Sequence, residues 1–265
     1  MQANDDHAEL ALIREAAREA GRIAMRYFGK TPDVWMKTGQ SPVTEADIAV
    51  DRFLKAELLA ARPDYGWLSE ETVADTSRLS ARRTFVVDPI DGTRGFINGL
   101  DMWCVSIAIV EDGRPIAGVL DAPVKEQIFE ATRGGPALRD GEAIKVRVAG
   151  DVPIVAGPKT MTKTLLPGIG QTVKVPYIPS LAYRIAMVAD GEIDATFVKP
   201  NAHDWDLAAA DLILRRAGGE VLTPQGVAPL YAGTSPRHGT LVAGSGALLT
   251  AMIEEARDPD WSQGW

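Results

Sequence analysis

Phe85-Val86-Val87-Asp88-Pro89-Ile90-Asp91-Gly92-Thr93-Arg94-Gly95-Phe96 (FVVDPIDGTRGF) is an apolar run that breaks directly into two carboxylates and a hydroxyl. A Val-rich run bounded by Arg83 and Pro89 predicts a short buried strand, so the polar motif starts where that strand ends. Strand ends feed loops, and loops carry chemistry. Pro89 fixes its own φ and keeps Asp88 out of the helical region, while Gly92 permits a turn that a β-carbon would resist. Asp88 and Asp91 can then converge. Converging carboxylates repel unless a cation lies between them, and a hard divalent ion such as Mg²⁺, which prefers oxygen ligands, meets that need. An Asp-Gly pair also serves as an ordinary chain reversal, so the rest of the chain must decide.

Outward from this motif the element types alternate. Upstream, Leu12, Ala16, Ala20, Ile23 and Tyr27 recur at three- and four-residue steps with Arg and Glu between them, which predicts an amphipathic helix from Ala8 to Phe28, stopped by Gly29. A loop from Lys37 to Pro42 follows, and Ile48, Phe53, Ala56 and Leu59 mark a second helix that starts after Thr44 and ends before Pro63. Downstream, Val105 to Val110, Ile116 to Leu120 and Gln127 to Ala131 read as short strands separated by turns such as Asp112-Gly113, an antiparallel meander. After Gly150 come apolar runs at Ile154 to Ala156, Val173 to Ile178 and Ala195 to Val198. Helical segments interleave with them at Ala182 to Ala189 and Trp205 to Ala217, the latter ending in Gly218-Gly219. The change of pattern places a boundary near residue 150, dividing residues 1–150 from residues 151–265 with no long linker between.

Composition narrows the function. The 265 residues, 46% of them hydrophobic, suffice for a packed core. A formal charge of −8 and a pI near 5.0 argue against a general affinity for nucleic acid. Any anionic substrate must therefore meet locally placed cations. The single cysteine, Cys104, excludes an intrachain disulfide and reads as a small buried hydrophobe. MQANDDHAEL lacks the basic start and apolar core of a signal peptide, and no apolar run approaches the roughly 20 residues that span a bilayer. The expectation is a cytoplasmic protein without membrane contact.

Three more segments carry carboxylates, each with a purely structural alternative. Asp204 and Asp206 open the helix at Trp205, where an acid can simply cap free N–H groups. Such helix starts also favour phosphate. Leu68-Ser69-Glu70-Glu71-Thr72 places adjacent acids that are ordinarily a solvated feature. Thr44 with Asp47 has the spacing of a capping box.

Together these segments resemble the inositol monophosphatase family of metal-dependent phosphatases over most of the chain. Thr44 to Asp47, Ser69 to Glu71, Asp88 to Thr93 and Trp205 to Ala209 stand in the family's order, and DPIDGT joined to a distant WDLAA is highly specific. The resemblance implies an α+β, α/β fold, a layered α-β-α-β-α sandwich with an antiparallel sheet in the first half, a mixed sheet in the second and the metals between them. It implies that Glu70, Asp88 and the carbonyl of Ile90 hold one Mg²⁺, that Asp88, Asp91 and Asp206 hold a second, and that Glu70 can also position a third. Thr93, hydrogen-bonded to Asp47, would orient the attacking water, and the N–H groups of Gly92 and Thr93 would cradle the phosphate. A haloacid-dehalogenase nucleophile would need carboxylates two apart, and an EF-hand would need Glu where Gly99 stands.

For substrate the sequence offers two cations. Lys199 stands seven residues before Asp206, where the family's inositol phosphatases place a Glu, and Arg184 lies near a Lys of its bisphosphate nucleotidases. Substrate-binding expectations are therefore Gly92, Thr93, Arg184, Lys199 and Asp206. Cations there suit a second phosphate, as in 3'-phosphoadenosine 5'-phosphate. An inositol monophosphate ranks equally, and histidinol phosphate third, since Asp88 to Leu100 also looks like the histidinol-phosphate phosphatase stretch. A homodimer is implied by the resemblance alone. Survival of every metal carboxylate speaks against a non-catalytic regulatory protein of the same fold.

Overall fold

Helix α1 (Gln2–Met25) covers most of its expected span but starts before Ala8 and ends before Phe28, and α2 (Glu45–Ala61) forms where the apolar spacing predicts it, burying Ile13, Ala17, Ala20 and Ala24 on the first and Val50, Leu54 and Leu58 on the second. The computed structural model describes residues 2–30, 34–36, 42–73, 75–173 and 175–257. Most of the expected loop from Lys37 to Pro42, namely residues 37–41, lies outside the described residues. Thr44 caps α2, its hydroxyl accepting from Ala46 and Asp47 N–H while the Asp47 carboxylate accepts from Thr44 N–H, a complete capping box.

A two-stranded ribbon of β1 (Val34–Met36) and β2 (Pro42–Thr44) precedes α2. The large sheet follows from β3 (Gly66–Ser69), β4 (Arg83–Asp91), β5 (Cys104–Glu111), β6 (Arg114–Ala122), β7 (Gln127–Thr132), β8 (Leu138–Arg139) and β9 (Glu142–Ala143), in that spatial order. Every neighbour is antiparallel except β3, which runs parallel to β4. A short helix, α3 (Thr93–Ile97), sits between β4 and β5. Asp112 and Gly113 both have positive φ, which matches the twist of a tight hairpin between β5 and β6.

The second half supplies β10 (Val155–Ala156), α4 (Lys159–Ile169), α5 (Leu181–Ala189), β11 (Ala195–Val198), α6 (Asp204–Arg216), β12 (Glu220–Leu222), β13 (Leu241–Gly244) and α7 (Gly246–Glu255). Its sheet runs β10-β11-β13-β12, with one parallel pair and two antiparallel pairs, hence mixed. Among the described residues, the apolar run from Val173 to Ile178 makes one bridge, Val173 to Ile154, and no strand. Pro176 and Pro179 withhold the N–H groups that a ladder needs.

Three apolar clusters stack these elements into five layers. Helices α1 and α2 cover one face of the large sheet, with Val105, Ile107 and Ile109 pointing to them. Ala108, Val110 and Leu120 point the other way, onto α5 and α6, which also cover Val198, Leu241 and Ala243 of the small sheet. Phe197 and Val242 face outward, onto Met161 of α4 and Leu249 and Met252 of α7. Period-two alternation along β5 and β11 decides which layer each residue joins. The middle cluster draws residues from both sides of position 150.

One half-buried acid makes the α1 contact pH-sensitive. Asp121 on β6 faces Gly21 of α1 so closely that a Cβ on Gly21 would stand 2.1 Å from Asp121 Oδ2. Burial pushes its carboxyl from 3.8 up to about 6, against the opposing pull of Arg18 and Arg22. The folded value lies above the unfolded one, so its stabilising contribution is full below about pH 4 and is lost as pH rises through about 6. Asp121→Asn should therefore gain melting temperature relative to the parent on going from about pH 4 to about pH 8. A difference that does not change with pH in thermal denaturation would refute this.

Candidate metal centre

Asp88 and Asp91 are three residues apart, and on an unbroken strand they would point to opposite faces. The β4/β5 register removes the conflict. Asp88 pairs with Ser106 and Asp91 with Cys104, so β4 advances from 88 to 91 while β5 advances from 106 to 104. One extra residue on one strand is a β-bulge, which Pro89, lacking an N–H, favours. Both carboxylates thereby face α5 and α6, while Ile90 packs under α1 and α2. Asp88 accepts a 3.0 Å hydrogen bond from Ile90 N–H, which fixes the turn from inside.

Each carboxylate has its own anchor. Asp91 Oδ2 accepts from Ser180 Oγ and from Ala182 N–H, both at 2.5 Å, at the start of α5. Gly92 follows at φ 98°, and a Cβ there would come within 3.1 Å of Ser180 Cβ and N, so only glycine satisfies both the backbone and the neighbour. Asp206, in the first turn of α6, accepts from His203 N–H at 2.8 Å. Asp88, Asp91 and Asp206 each bring an oxygen within 4.8 Å of the others.

Burial raises all three. Burial lifts Asp88 well above the ordinary aspartate range, with repulsion from Glu70, Asp91, Asp206 and Asp47 adding to it. Burial likewise raises Asp206, reinforced by Asp91. Asp91 rises only to about 6, because the bonds from Ser180 and the Ala182 and Leu181 amides oppose its burial. No Lys or Arg among the described residues forms an ion pair with the three. An all-oxygen, uncompensated anionic cluster fits a hard divalent cation.

Two supports stand around the cluster. Thr93 Oγ1 donates toward Ile90 O at 3.1 Å and lies 3.4 Å from Asp47 Oδ1, while Asp47 Oδ2 accepts from Thr44 Oγ1 at 2.6 Å. The capping box and the link to Thr93 are thus one and the same carboxylate. Glu70 follows β3 with its N–H on Val87 O at 3.3 Å. Buried Asp51 of α2 holds that loop, accepting from Ser69 Oγ and, at 2.8 Å, from Thr72 Oγ1. Sequence reading missed Asp51 and Ser180. Asp51 carries a signal, an acid on a helix face whose other members, Val50, Leu54 and Leu58, are buried.

The expected substrate cations lie apart in character. Arg184 is buried in α5, donating to Ile178 O at 3.5 Å and Phe197 O at 3.2 Å, and burial lowers its guanidinium to about 10. Lys199 is exposed, one residue beyond β11. Cys104 is fully buried with Sγ 3.6 Å from Ser180 Oγ, behind the cluster rather than in it.

The sequence profile of the inositol monophosphatase family matches residues 5–259. The chain belongs to the inositol monophosphatase family. A Mesorhizobium japonicum protein named inositol-1-monophosphatase is 31% identical, covering 95% of this chain and 97% of its own length. A Mycobacterium tuberculosis protein named histidinol-phosphatase is 32% identical, covering 93% and 97%. Among solved structures, the extragenic suppressor protein suhB of Bartonella henselae superposes with a TM-score of 0.83 at 26% identity, covering 95% of this chain and 99% of that one. The layered fold is this family's fold, and the family is metal-dependent.

Ser180→Ala removes a bond that orients Asp91 without touching the cluster itself. Loss of a group behind a ligand typically costs roughly tenfold in metal affinity. Calorimetric titration of Mg²⁺ should show that loss with the circular dichroism spectrum unchanged. Unaltered affinity would mean that Ser180 does not position Asp91.

Proposed function

We propose that the protein is a Mg²⁺-dependent phosphomonoesterase acting on a small soluble phosphate ester by attack of an activated water. The observation that supports this most is the convergence of buried Asp88 and Asp91 with half-buried Asp206, without a basic partner among the described residues. In this reading Glu70, Asp88 and Ile90 O hold one ion, Asp88, Asp91 and Asp206 a second, and a third, weaker one lies beside Glu70. The chain then divides near residue 150, the first part carrying most ligands and residues 151–265 bringing Asp206. Bound there, Mg²⁺ would polarise the phosphate and lower the pKa of a water.

The remaining work belongs to the chain's own groups. Thr93 Oγ1 orients the water, and Asp47, within 3.4 Å, takes the proton. Asp47 can do so because Thr44 N–H and Oγ1 hold one of its oxygens and leave the other toward Thr93. The N–H groups of Gly92 and Thr93 open α3, where first-turn amides have no acceptor within the helix, and bind the phosphate oxygens. Asp206 adds a substrate contact beside its ligand role.

Relatives named for inositol phosphate and for histidinol phosphate match the chain about equally, so family membership does not select the alcohol. Lys199 exposed after β11 favours a second anion, hence 3'-phosphoadenosine 5'-phosphate alongside inositol monophosphate, with histidinol phosphate behind. Arg184, bound to carbonyls, would act on such a substrate only by shaping the wall between α5 and β11. A cytoplasmic homodimer completes the proposal.

Asp91→Asn should abolish phosphate release in Mg²⁺ while far-ultraviolet circular dichroism stays as in the parent. Undiminished hydrolysis would sink the ligand assignment. Release from the three esters at matched concentrations ranks the substrates, and Lys199→Glu should shift the ranking toward inositol phosphate. An unchanged ranking removes Lys199 from the site.

A further inference from the structure

The segment from Pro236 to His238 is laid along the entry of α6 by its backbone. Asp204 N–H donates to Pro236 O at 2.8 Å, His238 N–H to Ala202 O at 2.8 Å, and Asn201 N–H to His238 O at 2.9 Å. The His238 ring closes the clamp on buried Asp204, Nε2 to Oδ1 at 2.7 Å, and Ala232 N–H occupies the other Asp204 oxygen at 2.7 Å. Both neighbours of Arg237 are thus committed to holding α6.

Arg237 itself is not. It stands directly opposite His203 in an antiparallel bridge. Residues so paired project from the same side with Cβ atoms roughly 5 Å apart. His203 Nδ1 is 4.0 Å from Asp206 Oδ2, so the Arg237 side chain starts one residue from the metal cluster. The His203 ring is stacked on Trp205, with centroids 4.5 Å apart and planes at 4°, which gives this wall a fixed surface. Arg237 is exposed and, among the described residues, forms no ion pair, in a chain whose net charge is −8.

We propose that Arg237, held opposite His203 at the rim of the metal cluster, is a specificity-determining residue that receives a second anionic group on the leaving alcohol of the substrate. The proposal rests on the phosphomonoesterase reading and names its substrate class: an ester whose alcohol carries another phosphate. A planar guanidinium suits a phosphate because two N–H donors match two oxygens. Its exposed position means that it discriminates by charge, modestly and in a salt-dependent way.

The test measures KM and kcat in Mg²⁺ for 3'-phosphoadenosine 5'-phosphate and for inositol 1-phosphate. Arg237→Gln should raise KM for the bisphosphate roughly three- to tenfold, as expected for a rim cation, with kcat retained and KM for inositol 1-phosphate within about twofold. Arg237→Lys should restore part of the loss, and the effect should shrink at about 0.5 M salt. Arg52→Gln, the same charge change on an exposed turn of α2, should leave both KM values in place. An equal change for both esters, no change for either, or an Arg52→Gln effect as large as that of Arg237→Gln overturns the assignment. Absence of phosphate release from both esters by the parent protein would instead overturn the phosphomonoesterase reading, an outcome distinct from loss of discrimination.

Discussion

Repulsion among three converging carboxylates, two buried and one half-buried, is the constraint around which this structure is arranged. Asp88, Asp91 and Asp206 could relieve it by turning outward, and each is prevented. The β4 bulge turns Asp91 onto the face of Asp88, Ser180 and Ala182 hold it there, and the His203 amide holds Asp206. Stability spent on holding like charges together in a buried place is characteristic of functional sites. A bound cation would make the arrangement favourable.

The layers explain how two distant parts of the chain meet at that point. Strand β4 lies second from the edge of the large sheet, and α6 lies across the same face, packed through Leu207, Ala208 and Leu212 into the shared core. Gly118 of β6 allows this close approach, since a Cβ there would stand 3.0 Å from Ala209 Cα. The Ala-rich middle of α6 is therefore a packing requirement, and Asp206 at its start inherits its position from it. At the same helix entry the Asp204–His238 clamp fixes the remaining freedom, and Arg237 is carried along at the rim.

Much of this was legible in the residues. Apolar spacing gave α1, α2, α5 and α6, and alternation with turn residues gave β5 to β7, because these elements are long enough for their periods to repeat. DPIDGT and WDLAA marked the carboxylates that converge. Elements β3, β12 and β13 are three or four residues long and show no period, and Pro167-Gly168 near the end of α4 argues in sequence against the helix that forms. The parallel pairing of β3 with β4 depends on the intervening segment crossing back, which no local pattern encodes. Asp51, Ser180 and His238 act on residues 18 to 89 positions away, and their partners become visible only when the sheet is assembled.

The most direct test is the binding of Mg²⁺ to the metal-free protein by calorimetry, read together with the melting temperature. Saturable binding that raises the melting temperature, and that disappears when Asp88 is replaced by Asn, is the result expected of a carboxylate cluster built around a cation. No binding at millimolar Mg²⁺, or binding that survives loss of Asp88, would contradict it.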